Sequence, residues 1–501
     1  MGTAASALPA LAARPEPPAA AAQPPEGGYP DSVTQQSITL AGRAYPYTAR
    51  AGTITLQNQQ GEPAAKMFFT AFTLDGSNPG TRPVTFFYNG GPGSSTIWLR
   101  MGSFGPMRVA IGDAAQGANA PFHLVENQYT LLDRTDLVFV DAPGTGFSRI
   151  VGSGKPADFY GVDQDMRAFT QFVSRYISTY NRWNSPKFLF GESYGTPRSA
   201  VLVNNLQKNG IGINGVILLS SVLDFGLTWD INFSPTAIGG GDWAFPLYLP
   251  TEAASSWYHN ALPGSQTTLP QLLPQVEQFA MGEYLNALAQ GANLPPSTYN
   301  DVVAKLHAYT GLSEQYIRES NLRIPYWRYS SELLRDSGVM LGRYDARYTS
   351  YMLDRLQERS DFDPTDSAID AAFVATGNAY LRQTLGYRTS LIYLPEINVF
   401  RQWDWKHNGA LPTNTAQDLA SAMTYNPNLR VFSGNGYYDF ATPFWATVYT
   451  LNHLALSPQL QDHISYGFYE SGHMVYLHTP ALAQFHDDLE RWYVQTLQAG
   501  R

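Results

Sequence analysis

The chain has 501 residues, 44% hydrophobic and 13% aromatic, which suffices for a large core and excludes disorder throughout. A formal net charge of −9 argues against nucleic acid or an anionic membrane as the main partner, and no apolar run approaches the length of a membrane span. With no cysteine there is no disulfide framework, no thiol nucleophile and no cysteine-ligated metal, and the compartment is left open.

Residues 1–28 are rich in Ala and Pro and cannot bury a core, so they read as a disordered leader or linker. They make a poor signal peptide, lacking a basic start and a sustained apolar centre. Residues 29–223 read as the first part of an α/β core. Ser37–Leu40, Gly52–Leu56 and Lys66–Phe72 alternate or run apolar between Gly, Asn and Pro, as strands do. Pro83–Tyr88 is a continuous apolar run of the kind buried on both faces, and it leads into Asn89-Gly90-Gly91-Pro92-Gly93-Ser94-Ser95. A glycine-rich loop after a buried strand exposes backbone N–H groups to an anion or a developing oxyanion, although a tight turn has the same composition.

The next buried strand is Asp136–Val140, ending in Asp141-Ala142-Pro143-Gly144-Thr145-Gly146-Phe147-Ser148. Gly154-Lys155 is not a phosphate loop, because Arg149 stands where the first glycine belongs and Pro156 follows the lysine. From Phe159 to Trp183 the period is helical, with Phe169, Phe172, Val173, Tyr176, Ile177 and Tyr180 on one face, a core stripe. The apolar run Phe188-Leu189-Phe190 then meets Gly191-Glu192-Ser193-Tyr194-Gly195, followed by a helix over about Pro197–Lys208. This is the sequence form of a nucleophile elbow, a strand-to-helix turn whose strained serine needs small neighbours. Alone, the pattern serves a structural turn equally well. A further buried strand, Gly215–Leu219, ends in Ser220-Ser221. Strand, helix, strand with the key loops at strand C-termini is the doubly wound pattern.

Residues 224–394 lose the strand rhythm and read as a helical insertion capping the site, and residues 395–501 return to the core. There a strand from Asn428 delivers Asp439 after Asn435-Gly436-Tyr437-Tyr438. The strand His463–Tyr469 is followed by Glu470-Ser471-Gly472-His473-Met474, and a final helix over about Pro480–Gln498 carries Leu482, Phe485, Leu489, Trp492 and Tyr493.

Ser193, Asp439 and His473 thus follow one another, each on a loop after a predicted strand, which is the order an α/β-hydrolase requires. A serine hydroxyl is a poor nucleophile until a histidine takes its proton, and a buried aspartate holds the histidine tautomer and stabilises the imidazolium. Singly, Asp439 could cap a turn and His473 could be structural; order, spacing and loop context together point to the triad. Glu470 and His478 flank His473, but no His-Glu-x-x-His pattern is present, so no zinc site and no cofactor are expected.

The glycine loop from Asn89, the Asp141–Ser148 loop, Gly191–Gly195, Asn435–Asp439 and Gly472-His473-Met474 together resemble the serine carboxypeptidases of the carboxypeptidase Y type, in order from about residue 84 to the C-terminus. The resemblance implies an α/β-hydrolase fold: a mostly parallel central sheet, an extra N-terminal β region and a helical cap. It implies an oxyanion hole made by the N–H groups of Gly91 and Tyr194. It also implies that Asn89, the Gly90 N–H and Glu192 bind the substrate's terminal carboxylate, with Met474 near the pocket for the leaving residue. The chain departs from many members at Ser94, where cysteine is common, at Phe87, where tryptophan is common, and at Ser103, an acidic position in some. The absence of cysteine resembles the bacterial branch, which implies export.

Glu192 fits this reading on its own chemistry. Two nearby carboxylates raise one pKa, so Glu192 facing a substrate carboxylate is expected to carry a proton, and activity to favour acidic pH. The expected function is therefore a serine-type carboxypeptidase acting on peptide or protein C-termini. An acyltransferase or esterase on the same scaffold remains open, since the pocket chooses the acceptor. A non-catalytic binding protein is disfavoured by the intact Ser193, Asp439 and His473.

Overall fold

The computed structural model describes residues 30–114, 117, 119–228, 241–264 and 267–499; the leader expected over 1–28 lies outside them. The runs read as strands assemble into one ten-stranded sheet. Its N-terminal part is antiparallel: β1 (Ser32–Leu40) pairs with β2 (Arg43–Gln57), and β2 with β3 (Pro63–Leu74). Ala41 and Gly42, at φ 47° and 79°, form the two-residue turn between β1 and β2. β2 is longer than the Gly52–Leu56 run evident in the sequence. Its first half buries Tyr47, Ala49 and Ala51 on one face, and their small or polar neighbours weaken the signal.

From β4 (Val84–Tyr88) the sheet becomes parallel. β5 (Met107–Val109) and β6 (Leu124–Glu126) form a separate antiparallel pair. β7 (Asp136–Val140) joins the antiparallel part, against β3, to the parallel part, against β4. β8 (Arg149–Ile150) adds to β3, and β9 (Lys187–Glu192) and β10 (Gly215–Leu219) extend the parallel run. β11 (Val339–Leu341) and β12 (Thr349–Tyr351) pair only with each other, and β13 (Arg430–Gly436) and β14 (Ile464–Tyr469) complete the sheet. The order across it is β1-β2-β3-β7-β4-β9-β10-β13-β14, with β8 beside β3.

β4, β7, β9 and β10 are buried along their whole length, as parallel strands covered on both faces must be. Successive side chains point to opposite faces, so Phe188 and Phe190 join one core while Leu189 joins the other. α1 (Ile97–Gly102) follows the glycine loop. α2 (Val162–Thr179) and α3 (Gly195–Lys208) cover one face of the sheet with Phe169, Phe172, Val173, Leu202 and Val203. The helix Thr479–Ala499 covers the other with Leu482, Phe485, Leu489, Trp492 and Tyr493.

Between β10 and β13 helices predominate, among them Ala244–Tyr258, Leu269–Phe279, Pro296–Thr310 and Pro364–Ala379. The first three build a third core that includes Tyr438, Phe440 and Phe444, on either side of Asp439, whereas Pro364–Ala379 packs Ile369, Ala372 and Phe373 into the core that holds Phe188 and Phe190. Among the described residues, no helix is long and apolar enough to cross a membrane.

The junction of the two halves of the sheet rests on one buried charge. Asp136 accepts hydrogen bonds from Arg82 Nε at 2.6 Å, Arg182 Nη1 at 2.6 Å and the Leu74 N–H at 3.0 Å. Asp136→Ala strands the buried Arg182 guanidinium and is expected to cost roughly 3–5 kcal/mol, measured as a lower urea midpoint.

Candidate active site

β9 ends at Glu192 and α3 begins at Gly195, so the chain reverses within two residues. Ser193 sits at φ 59°, a conformation costly for a side-chain-bearing residue, and its N–H donates to the Leu219 carbonyl at 3.0 Å. The flanking glycines are a packing requirement. A Cβ on Gly191 would lie 2.0 Å from the Gly195 carbonyl oxygen, and one on Gly195 2.8 Å from that of Tyr88. The elbow turns Ser193 into a cavity of about 770 Å³ that Asn89, Gly90, Gly91, Glu192, Tyr194, His473 and Met474 also line.

Asp439 follows β13 and is fully buried. Its Oδ1 accepts the N–H groups of Ala441 (2.7 Å) and Thr442 (3.0 Å), and its Oδ2 accepts the Thr442 hydroxyl at 2.6 Å. The same Oδ2 lies 2.8 Å from His473 Nδ1. His473 follows β14, is 2% exposed, and has its carbonyl held by the Ser220 hydroxyl at 2.6 Å. Burial alone would lower its pKa, but the carboxylates of Asp439 and Glu192 outweigh burial and raise it. No hydrogen bond joins the Ser193 hydroxyl to His473 Nε2 among the described residues, although both residues line the cavity. Such contacts often tighten only with substrate.

The N–H groups of Gly91 and Tyr194 also make no hydrogen bond among the described residues, and both residues line the cavity beside Ser193. Two free donors here suit a developing oxyanion. Asn89 donates through Nδ2 to Glu192 Oε1 at 2.9 Å and accepts the Leu99 N–H at 3.2 Å. Glu192 is 2% exposed, and its Oε2 has no hydrogen-bond partner among the described residues. Burial pushes its pKa up to about 7, with His473, the Tyr476 hydroxyl and Asn89 acting in the opposite direction.

All nine residues singled out in the sequence therefore meet at one cavity or, for Asp439, directly behind it. Sequence reasoning missed Thr442, which holds Asp439, and Tyr344, whose ring lies 5.2 Å from that of His473. It also missed Trp98, Arg343, Asp366, Asp370 and Glu396 on the cavity wall. Burial pushes Asp366 up to about 8 and Asp370 to about 6, with neighbouring carboxylates adding to both shifts. None of these residues belongs to a motif; tertiary packing alone brings them in.

Among the described residues, one group of potential metal ligands, Asp133, His486 and Glu490, has its ligand atoms within 4.8 Å of one another, and it lies outside the cavity. The Arg134 guanidinium already supplies the positive charge there, 2.7 Å from Glu490 and 3.3 Å from Asp133.

A family model described as serine carboxypeptidase matches residues 44–239. Carboxypeptidase Y homolog A of Pyricularia oryzae is 24% identical over 353 residues, covering 66% of this chain and 58% of that protein. Serine carboxypeptidase-like 25 of Arabidopsis thaliana is 24% identical over 213 residues, 40% of this chain and 42% of that protein. The chain thus spans little more than half of the first relative's length and less than half of the second's. Among solved structures, Kex1, a prohormone-processing carboxypeptidase from Saccharomyces cerevisiae, matches with a TM-score of 0.53 at 16% identity, covering 89% of this chain and 91% of that one. That likeness is one of fold.

One wall of the cavity, formed by Glu396, Ile397, Asn398, Val399, Phe400 and Trp405, is followed at once by a histidine clamp. His407 Nδ1 lies 2.7 Å from Asp163 of α2, and Nε2 lies 2.7 Å from Asp418 of the helix Ala416–Tyr425. Only the imidazolium donates from both nitrogens. The hydrogen bond to Asp418, with that to Asp163, raises the His407 pKa against the effect of burial. A raised folded pKa stabilises fully below the ordinary value of 6.5 and loses that contribution as pH rises through the folded value. The melting temperature is expected to fall over this window above pH 6.5, and His407→Gln to remove that part of the dependence in thermal scans across pH.

Proposed function

We propose that this chain, a member of the serine carboxypeptidase family, hydrolyses the C-terminal peptide bond of peptides through an acyl-enzyme on Ser193. The observation that carries the reading is the Asn89–Glu192 pair. Beside the nucleophile lies a buried carboxyl that Asn89 holds through one oxygen and the Tyr476 hydroxyl also stabilises, while Oε2 makes no full hydrogen bond among the described residues. A neutral Glu192 donates its proton to the substrate's terminal carboxylate, and the Gly90 N–H adds a second donor. An ester or amide terminus offers no charge for this pair to recognise.

In the proposed chemistry Ser193 Oγ attacks the last peptide carbonyl while His473 Nε2 takes its proton. The oxyanion settles on the Gly91 and Tyr194 N–H groups. His473 then returns the proton to the departing amino group, which leaves as a free amino acid. Water, deprotonated by the same histidine, then attacks the acyl carbonyl, and His473 returns that proton to Ser193 Oγ as the ester bond breaks and the shortened peptide leaves. Asp439 fixes the imidazole through Nδ1 and stabilises its charged form. Met474, 7% exposed on the cavity wall, borders the leaving residue in this scheme. The proposal includes residues 224–394 as a cap over the cavity and residues 29–223 and 395–501 as the core. It also includes export, which rests on the family resemblance alone.

On N-acyl-Phe-Leu and its C-terminal amide, leucine is expected only from the free acid, most strongly at acidic pH, and not with Ser193→Ala. Equal cleavage of both would overturn the carboxylate-recognition reading in favour of an esterase or acyltransferase. The pH dependence carries a second expectation. With Glu192 titrating at about 7, its ionised form repels the substrate carboxylate, so KM should rise about tenfold from pH 6 to pH 8. Glu192→Gln cannot ionise and should flatten that profile.

A further inference from the structure

Segment 343–347 contacts both triad loops. It leaves the helical region just after β11, and its backbone clasps the Asp439 loop on both sides. The Phe440 N–H donates to the Arg343 carbonyl at 3.0 Å, and the Ala346 N–H to the Tyr438 carbonyl at 2.9 Å. The same segment reaches the histidine loop, where the His473 N–H donates to the Tyr344 carbonyl at 2.6 Å. One residue earlier, the Gly472 N–H donates to Asp345 Oδ2 at 3.1 Å.

Asp345 is completely buried, and its ion pair with Arg347 fixes its orientation. Arg347 Nε lies 3.0 Å from Oδ1, and one terminal nitrogen lies 2.7 Å from Oδ2. That nitrogen also donates to the Ser471 hydroxyl at 3.3 Å, so the pair grips both residues before His473. The packing leaves no room for a side chain between them. A Cβ on Gly472 would lie 2.4 Å from the Tyr344 carbonyl oxygen and 2.4 Å from Asp345 Cβ. A glycine therefore precedes the histidine because segment 344–345 lies flat against it.

We propose that Asp345 is a positioning residue for the triad: held by Arg347, it fixes the Gly472 N–H and thereby the backbone from which His473 reaches Asp439 and Ser193. Asp345 lines neither the cavity nor the nucleophile, so it acts through His473. A loop gripped at Gly472 and His473 and clasped across Tyr438 and Phe440 keeps the Nδ1–Oδ2 contact at 2.8 Å as the histidine changes charge. Displacements of about 1 Å in such a constellation cost on the order of a hundredfold in rate.

The inference rests on the triad reading, and labelling of Ser193 by a fluorophosphonate tests it without any peptide substrate. Two variants are compared with wild type. Asp345→Asn keeps the shape but loses the charge that holds Arg347. Asp345→Leu with Arg347→Met replaces the buried pair by apolar groups of similar volume, a change that often preserves folding, while deleting the acceptor for Gly472. Both are expected to lower the maximal labelling rate at least tenfold with half-saturation within twofold of wild type. Arg347→Lys, which keeps the charge opposite Asp345, should stay within threefold. A folded double variant labelling at the wild-type rate, or a loss confined to half-saturation, would overturn the proposal. So would failure of all three variants to fold, which would make Asp345 a purely structural residue. Wild-type protein that did not label would remove the triad itself, and with it this inference.

Discussion

The arrangement depends on the satisfaction of one buried carboxylate. Asp439 has no contact with solvent, and a buried charge without partners is prohibitively costly. Both of its oxygens are therefore occupied, by two backbone N–H groups, one hydroxyl and the His473 imidazole. These donors come from the turn just after Asp439 and from the loop after β14. The parallel pairing of β13 with β14 brings the two loops to the same edge of the sheet. Without that alignment of strand ends, Asp439 and His473 would not meet.

Glu192 shows the opposite solution in the same cavity. It is as deeply buried as the histidine, but among the described residues its one full hydrogen bond comes from the Asn89 amide, with the Tyr476 hydroxyl as a further polar neighbour. Burial then dominates and raises its pKa to about 7. A carboxyl with many donors and one with few suit different chemistry: the first can orient a base, and the second can hold a proton for another acid. Glu192 and His473 also influence each other: the imidazolium favours the ionised carboxylate, and the carboxylate favours the imidazolium. Their titrations belong to the pair.

The helical region enters this arrangement in two ways. Its core packs around Tyr438, Phe440 and Phe444, and segment 343–347 is hydrogen-bonded to both loops. Arg343 and Tyr344 of that same segment line the cavity with Asp366 of the helix Pro364–Ala379. The residues that shape the pocket are thus mechanically continuous with those that hold Asp439 and His473.

The parts whose physics is local are legible along the chain. Unbroken apolar runs such as Phe188–Phe190 and Val216–Leu219 demand burial on both faces, hence parallel strands. The 3.6-residue period from Phe169 to Ile177 demands a helix with one buried stripe. Gly191 and Gly195 are legible because a turn this tight admits no Cβ, and the chain order Ser193, Asp439, His473 is a property of the sequence itself. What meets across long separations is set by packing. Asp345 lies 127 positions from Gly472, and no local pattern marks it as the acceptor for that N–H. Thr442 on Asp439, His407 between Asp163 and Asp418, and the acidic wall at Asp366, Asp370 and Glu396 are likewise products of packing. Hydrogen bonds and buried charges are short-range in space and indifferent to distance along the chain, so only the folded arrangement of β13, β14 and the helical region could assign them.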